Sequence, residues 1–374
     1  MEAFDKIFVD PTFLTDDPHG LNIGCIYCHG GDNTTMNRDA AHEGMSADPA
    51  AKPEENCTPC HQKTVDTHML TLHYDTHGEF NIISQRASTD EEALSALKTG
   101  YTNHCATCHA SCGSCHVSRP TPAEGGFLKG HLFQKTPSIQ NNCTACHGTR
   151  VGDEYLGRNE GYLPDTHWLA NGSLCQDCHS MDEMHGNGRE YFSRYENEPR
   201  PECTDCHDLK GDKNEFHSKH AEVNRGGSGF SGKSLTCQTC HSSAYKNCFN
   251  CHVGIDDQGL TYFKTDPSMI LFKIGNNPLQ SDRRPEDFSL LRHVPVARTT
   301  FEFYGDDILT NFDVAPTWKY TTPHNINRET CQNASCNSCH GHDELFLTTN
   351  DVDSNEQEAN KYVVVDGAPG TVQE

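Results

Sequence analysis

The pattern Cys-x-x-Cys-His begins at residues 25, 57, 105, 112, 143, 175, 203, 237, 248 and 336, and these ten units consume 20 of the 21 cysteines. The Cys and His content of the chain would produce about 0.07 such units by chance. The repeat is therefore what organises the sequence. Two thiols three residues apart, followed at once by an imidazole, match the needs of a c-type haem. The thiols add to the two vinyl groups of one porphyrin, and the next residue turns its imidazole onto the iron.

On this reading the covalent anchors are Cys25, Cys28, Cys57, Cys60, Cys105, Cys108, Cys112, Cys115, Cys143, Cys146, Cys175, Cys178, Cys203, Cys206, Cys237, Cys240, Cys248, Cys251, Cys336 and Cys339. The proximal iron ligands are His29, His61, His109, His116, His147, His179, His207, His241, His252 and His340, and the cofactors are ten haem c groups. Four-cysteine zinc sites would give no reason for a histidine after every pair. Cysteines three apart form redox bridges rather than structural disulfides. A thioredoxin-like site needs a βαβ frame, and the surrounding polar, Gly-rich sequence offers none.

Composition agrees with a cofactor-built interior. Only 34% of residues are hydrophobic, cysteines included, well below the share of an ordinary globular domain. So few apolar side chains cannot offset the entropy of ordering the chain unless something else supplies core. Ten porphyrins would do so. The expected fold is haem-centred, mostly coil with short α-helices wrapped around a haem chain, and few β-strands. The formal charge of −24 argues against nucleic acid or an anionic membrane as partner. No transmembrane segment is expected, since "MILFKI" and "YVVV" fall far short of a bilayer span. The opening "MEAFDKIFVDPTF" lacks the basic and apolar regions of a signal peptide. An exported protein would then be a processed chain.

An electron-transfer haem takes a second axial ligand, whereas a catalytic one keeps that position open. Fourteen of the 24 histidines lie outside the motifs, enough for ten bis-histidine irons, while methionines number only seven. His42, His73, His104, His131, His167, His185, His217, His220, His293 and His324 are the distal candidates. His19, close before the first unit, and His342, two residues after His340, read as surface histidines. His68 and His77 are set aside in favour of His73 within "THMLTLHYDTHGE". His217 and His220, three apart in "FHSKH", can serve two neighbouring irons from one helical turn.

Successive motifs are 32, 48, 7, 31, 32, 28, 34, 11 and 88 residues apart. If 105–116 is one helix, the gap of seven puts His109 and His116 on one face, about 10 Å apart, with their haems stacked. The gap of eleven likewise makes neighbours of the haems on His241 and His252. These spacings divide the chain into a haem-dense region at 1–252 with nine sites, a haem-free insert at 253–335, and a tenth site with an acidic tail at 336–374. The insert carries β-prone runs such as "RTTFEFY" and is where strands are expected. The tail reads as solvated, or as a strand added to a neighbouring molecule through "KYVVV". Cys331, the odd cysteine, reads as a buried free thiol.

The ten units, with "CATCHASCGSCHVSRP", "DTHWLANGSLCQDCHSMDEMHG" and "CQTCHSSAYKNCFNCHVG", resemble the multihaem c-type cytochromes of respiratory electron export. These include the periplasmic, outer-surface and filament-forming cytochromes of metal-reducing bacteria and their archaeal counterparts. The resemblance implies electron hopping along closely packed haems at the cell surface, outside the cell or in the periplasm. It implies other redox proteins, multihaem cytochromes or extracellular acceptors as partners, and self-association into filaments. About 37 residues per haem suits a filament subunit. Multihaem reductases of nitrogen or sulfur oxyanions are similar in haem content, but several replace one motif histidine, and all ten units here end in His.

Overall fold

The computed structural model describes residues 2–210, 212–243, 250–265 and 272–373. Short helices, two small antiparallel sheets and much coil make up the chain. Among the described residues no helix is long and apolar enough to cross a membrane. The chain divides into two units that interleave along the sequence. One comprises 1–79, 106–148 and 174–200, the other 80–105, 149–173 and 201–374. These units do not follow the sequence-based division at 252 and 335, and one of their boundaries falls inside the third motif. Packing follows contacts between distant segments, which motif spacing does not record.

In the first unit almost every element is a turn or two long. Pro18–Asn22, Gly24–His29, Cys112–His116 and Cys175–Cys178 are helices of four to six residues, and Thr58–His68 runs for 11 with a kink at His61, whose backbone is not helical. Helices this short are not stable alone. Few apolar side chains are buried there, Phe13, Val65, Val117, Ile139 and Tyr191 among them. The 105–116 stretch is not one helix. Glu91–His104 ends before the third motif, which forms a 3-10 turn over Ala106–Cys108. A new helix, Cys112–His116, then starts at a capping box in which the Ser111 and Ser114 side chains satisfy each other's backbone N–H. The box breaks the helix that the gap of seven suggested, and with it the expected shared face of His109 and His116.

The second unit has a side-chain core. Strands β1 (Cys251–Ile255) and β2 (Thr261–Thr265) form a hairpin. Strands β3 (Lys273–Asn276), β4 (Phe288–His293) and β5 (Trp318–Tyr320) form an antiparallel sheet in the order β3-β4-β5. Consecutive residues of a strand face opposite ways. Leu290 accordingly packs with Phe272, Ile274 and Phe346, and Leu291 with Trp318, Leu347, Val352 and Val363. Beneath the sheet the Arg292 guanidinium donates to Glu154 Oε1 at 2.7 Å, with both side chains buried. The helix Glu91–His104, capped by Asp90, turns Leu97, Tyr101 and His104 inward on one face.

The C-terminal segment is neither solvated nor a donated strand. Asn276 N donates to Val363 O, and Val365 N donates to Leu347 O, both at 2.9 Å, while Val363 is only 2% exposed. The "KYVVV" run thus lies along β3 of its own chain and closes one of the two apolar clusters. Cys331 is exposed, contrary to the expectation of a buried thiol. The loop around it turns polar groups inward instead, Thr330 Oγ1 and Gln332 Nε2 donating to the Cys240 and Ser242 carbonyls.

Candidate haem sites

The five-residue motif folds as a helical turn in most units. His61, His147, His179, His207 and His340 each donate their backbone N–H to the carbonyl of the first cysteine of the motif, at 2.8 to 3.1 Å. A helical turn sets residues i, i+3 and i+4 on one face. Both thiols and the imidazole therefore point the same way, as attachment to one porphyrin requires. The ninth unit departs from this form. Its Cys251 and His252 lie on β1, and Cys248 is outside the described residues, as is the linker that was expected to bring the His241 and His252 sites together.

Seven motif histidines face a histidine from outside the motifs, among the described residues. Ring centres are 6.2 Å apart for His19–His61, 5.9 Å for His29–His131, 6.0 Å for His73–His147 and 6.1 Å for His116–His185. They are 6.0 Å apart for His167–His207, 6.1 Å for His217–His241 and 6.2 Å for His220–His340. The uniform spacing is the informative quantity. Metal–imidazole bonds of about 2 Å on each side of one iron would hold two ring centres about 6 Å apart. Six of these distal partners, His73, His131, His167, His185, His217 and His220, are among the sequence candidates. His217 and His220 come from the single helix Glu215–His220.

In seven of these fourteen histidines Nδ1 is held in the manner metal ligands need, whereas Nδ1 of His131 and of His185 is buried without a hydrogen-bond partner among the described residues. Nδ1 of His29 donates to Ser46 O at 2.7 Å, that of His116 to Gln134 O at 2.6 Å, that of His241 to Asn327 O at 3.0 Å and that of His340 to Gly370 O at 3.0 Å. Three distal histidines donate to carboxylates: His19 to Asp17 at 3.1 Å, His167 to Asp165 at 2.8 Å and His217 to Asp212 at 2.6 Å. Such bonds fix the tautomer and leave Nε2 for the iron. Burial pushes His131, His147, His185 and His220 down in pKa, and His73 down to about 4. In His73, the facing His147 adds to the effect of burial. A neutral imidazole with a free lone pair is the form that binds iron.

Asp17 and Asp165 do the same work in the two units. Each caps a helix, accepts from the backbone and ring of the histidine two residues on, and uses its second oxygen on a distant backbone N–H. Those distant donors are Phe133 at 2.7 Å and Ile326 at 2.9 Å. Burial works to raise the Asp17 pKa, but its hydrogen bonds from Phe133 and His19 outweigh that and hold the carboxyl below its ordinary range.

Several sequence expectations are revised. His19 is not a surface histidine; stacked on Phe133 at 3.9 Å, it faces His61, the proximal residue of the second unit rather than the first. His293 has both ring nitrogens engaged within the chain. It is buried, with Nδ1 donating to Val294 O at 2.7 Å and Nε2 lying 3.2 Å from Glu356. The Nε2 of His104 meets the Tyr304 hydroxyl at 2.8 Å, and its ring lies edge-on to Phe263. His42 is exposed, donates Nδ1 to Arg38 O at 2.6 Å, and faces no motif histidine among the described residues. His324 is anchored through its backbone, its N–H donating to Glu154 Oε2 at 2.7 Å. His68 lies with its ring centre 6.3 Å from that of His185, which also faces His116, while His77 and His342 face no motif histidine among the described residues. His68 has both ring nitrogens 3.3 Å from carbonyl oxygens, His77 Nε2 donates to Tyr191 O at 3.0 Å, and His342 pairs with Glu344 at 2.6 Å.

The residues fit haem better than zinc. Among the described residues no group of three or more His, Cys, Asp or Glu gathers as a metal site, whereas structural zinc needs four ligands at one point. Compared with protein-family models, with curated proteins and with solved structures, the chain matches none.

Proposed function

We propose that the chain is an electron carrier, a decahaem c-type cytochrome with predominantly bis-histidine irons. The observation that supports it best is the common 5.9 to 6.2 Å spacing of seven motif histidines from seven others. The haems, when bound, supply one-electron storage at iron. The chain supplies the thiols that anchor them, the imidazoles that ligate them, and the carbonyls and carboxylates that orient those imidazoles. No side chain is required as acid or base. The protein works outside the cytoplasm, at the cell surface, beyond it or in the periplasm. There it exchanges electrons with other redox proteins or extracellular acceptors and assembles with copies of itself into a filament.

The mass of the intact native protein, with electron paramagnetic resonance of its oxidised form, tests this reading. Ten haems and low-spin ferric signals are expected; a haem-free chain carrying zinc or disulfides would overturn it. One observation favours a second reading at one site. Among the described residues no histidine ring faces His109, which is exposed. A high-spin signal from a single haem that changes on adding nitrite or sulfite would make the chain a reductase of nitrogen or sulfur oxyanions.

A further inference from the structure

Strand β2 has a bare edge, and the hydrogen bonds of β1 show which of its groups lie there. Cys251 N donates to Pro295 O at 3.1 Å and Val253 N to Thr300 O at 3.0 Å, both away from β2. Alternate residues of an antiparallel ladder point opposite ways, so His252 and Gly254 turn their N–H and C=O toward β2. Their register partners are Lys264 and Tyr262. Thr261, Phe263 and Thr265 therefore aim their N–H and C=O out of the far side of the hairpin, where among the described residues no backbone group meets them. All five side chains of β2 are exposed, Phe263 to 61%. The pairing with β1 runs without a bulge, and the strand holds no proline. An edge so unprotected is a template for another strand.

The residues of this edge, Thr-Tyr-Phe-Lys-Thr, read almost alike in both directions, and that selects the occupant. Laid antiparallel on a second copy about Phe263, the strand sets Phe263 opposite Phe263, Thr261 opposite Thr265, and Tyr262 opposite Lys264. The three outward residues of each copy fall at the hydrogen-bonded positions of this register, and together they exchange about six backbone bonds. Tyr262 and Lys264 fall at the non-bonded positions, where facing side chains are closest. Two lysines do not meet; a cation–π pair forms instead. The Tyr262 ring is already held for it across Gly254, where a Cβ would come within 2.4 Å of the Tyr262 hydroxyl. Charge favours the same occupant. The chain has 53 acidic residues against 29 basic, yet these five include one Lys and no carboxylate. Two copies can meet at this seam without the repulsion that their net charge brings elsewhere.

We propose that β2 is the docking site for a second copy of this chain, the two forming a four-stranded antiparallel sheet with a two-fold axis at Phe263. Such a contact is isologous and closes after two chains, in addition to the head-to-tail contacts that a filament needs. The two β1 strands then lie three strand spacings, about 14 Å, apart, each carrying Cys251 and His252 of the ninth motif. On the electron-carrier reading the seam joins two chains at their ninth haem sites; the pairing itself does not depend on that reading.

Cross-linking of the haem-loaded full chain tests the seam, with Cys331→Ser as the common background that removes the exposed thiol. In Phe263→Cys the two substituted positions face each other with Cα atoms about 5.5 Å apart, and mild oxidation is expected to give a covalent dimer on a non-reducing denaturing gel. In Thr261→Cys they stand about 14 Å apart along the strands, too far to bridge, and monomer is expected. No cross-link at 263, or equal cross-linking at both positions, would overturn the proposal. Should native chains polymerise, the gel still decides, because a two-fold contact yields dimers and no ladder. Phe263→Pro removes an outward donor and leaves the bonds to β1 in place, while Lys264→Glu alters no backbone group. By analytical ultracentrifugation Phe263→Pro is expected to lose the β2-mediated dimer, and Lys264→Glu to weaken it about 10-fold. A dimer unchanged in both variants would place the contact elsewhere and overturn the proposal. The haem count by mass on the same samples tests the carrier reading separately: a haem-free dimer would sink that reading and leave the seam standing.

Discussion

Asp165 touches three groups that share one purpose. Its Oδ1 accepts from the backbone and Nδ1 of His167, and its Oδ2 from Ile326 N. Removing it leaves the His167 ring free to rotate away from His207. In Asp165→Ala, ligation at that one site is expected to weaken by about 10- to 100-fold. The check is a high-spin ferric resonance worth one haem, absent from the native protein. The pH dependence of His73 has a definite sign. Burial and the facing His147 lower its pKa from 6.5 to about 4, so the folded chain holds fewer protons than the unfolded chain between those values. Stability is then fully present above pH 6.5 and lost as pH falls toward 4, by roughly 3 kcal/mol from this group. Thermal unfolding of the haem-loaded chain, in which the first unit is expected to be folded, measures it across that window. The anchoring residues were legible because five consecutive residues carry them. Six of the seven facing histidines were among the candidates, but which motif each faces was not legible, because pairs such as His73 and His147 meet across distant segments. The Asp-x-His signal at Asp17 and Asp165 would have recovered His19. It would equally have promoted His77, whose Nε2 donates to Tyr191 O.

Gly275 shows how tightly the second unit's elements fit. A Cβ there would come within 2.4 Å of Leu291 Cδ1 and of Val363 O, one a neighbour on β4 and the other the backbone of the C-terminal segment. The backbone oxygen cannot move aside without breaking the Asn276–Val363 hydrogen bond. Gly275→Ala is therefore expected to destabilise the sheet by about 1–3 kcal/mol, read as a lower denaturant midpoint with an unchanged slope. Strand-forming runs after residue 252 were visible in the sequence because Val, Ile, Phe and Tyr alternate with turn residues there. The tail's role was hidden. Its acidic stretch looks solvated in isolation, and only β3 and Leu347 give "KYVVV" a place to pack. The break at Ser111 was equally invisible to motif counting, since a gap of seven fits a helix whether or not a cap interrupts it.

The two units differ in what can hold them together. The second buries Leu290, Leu291, Trp318, Phe346, Leu347 and Val363 in two clusters; the first buries few apolar side chains, and on the proposed haem reading cofactors would fill most of its interior. A chain produced without haem attachment is expected to keep protected amides in 272–293 and 346–365. Proteolysis should fall on 1–79, 106–148 and 174–200, with hydrogen exchange as the check. Equal protection of both regions would mean the first unit has a core of its own. One element in the second unit joins two proposed irons. His217 and His220 sit on the six-residue helix Glu215–His220 and face His241 and His340. A rigid turn cannot release one ring and keep the other aligned, so these two joints share a single point of failure. On the electron-carrier reading, whatever unwinds that turn would disconnect both at once, which would make it the natural fuse of the proposed wire.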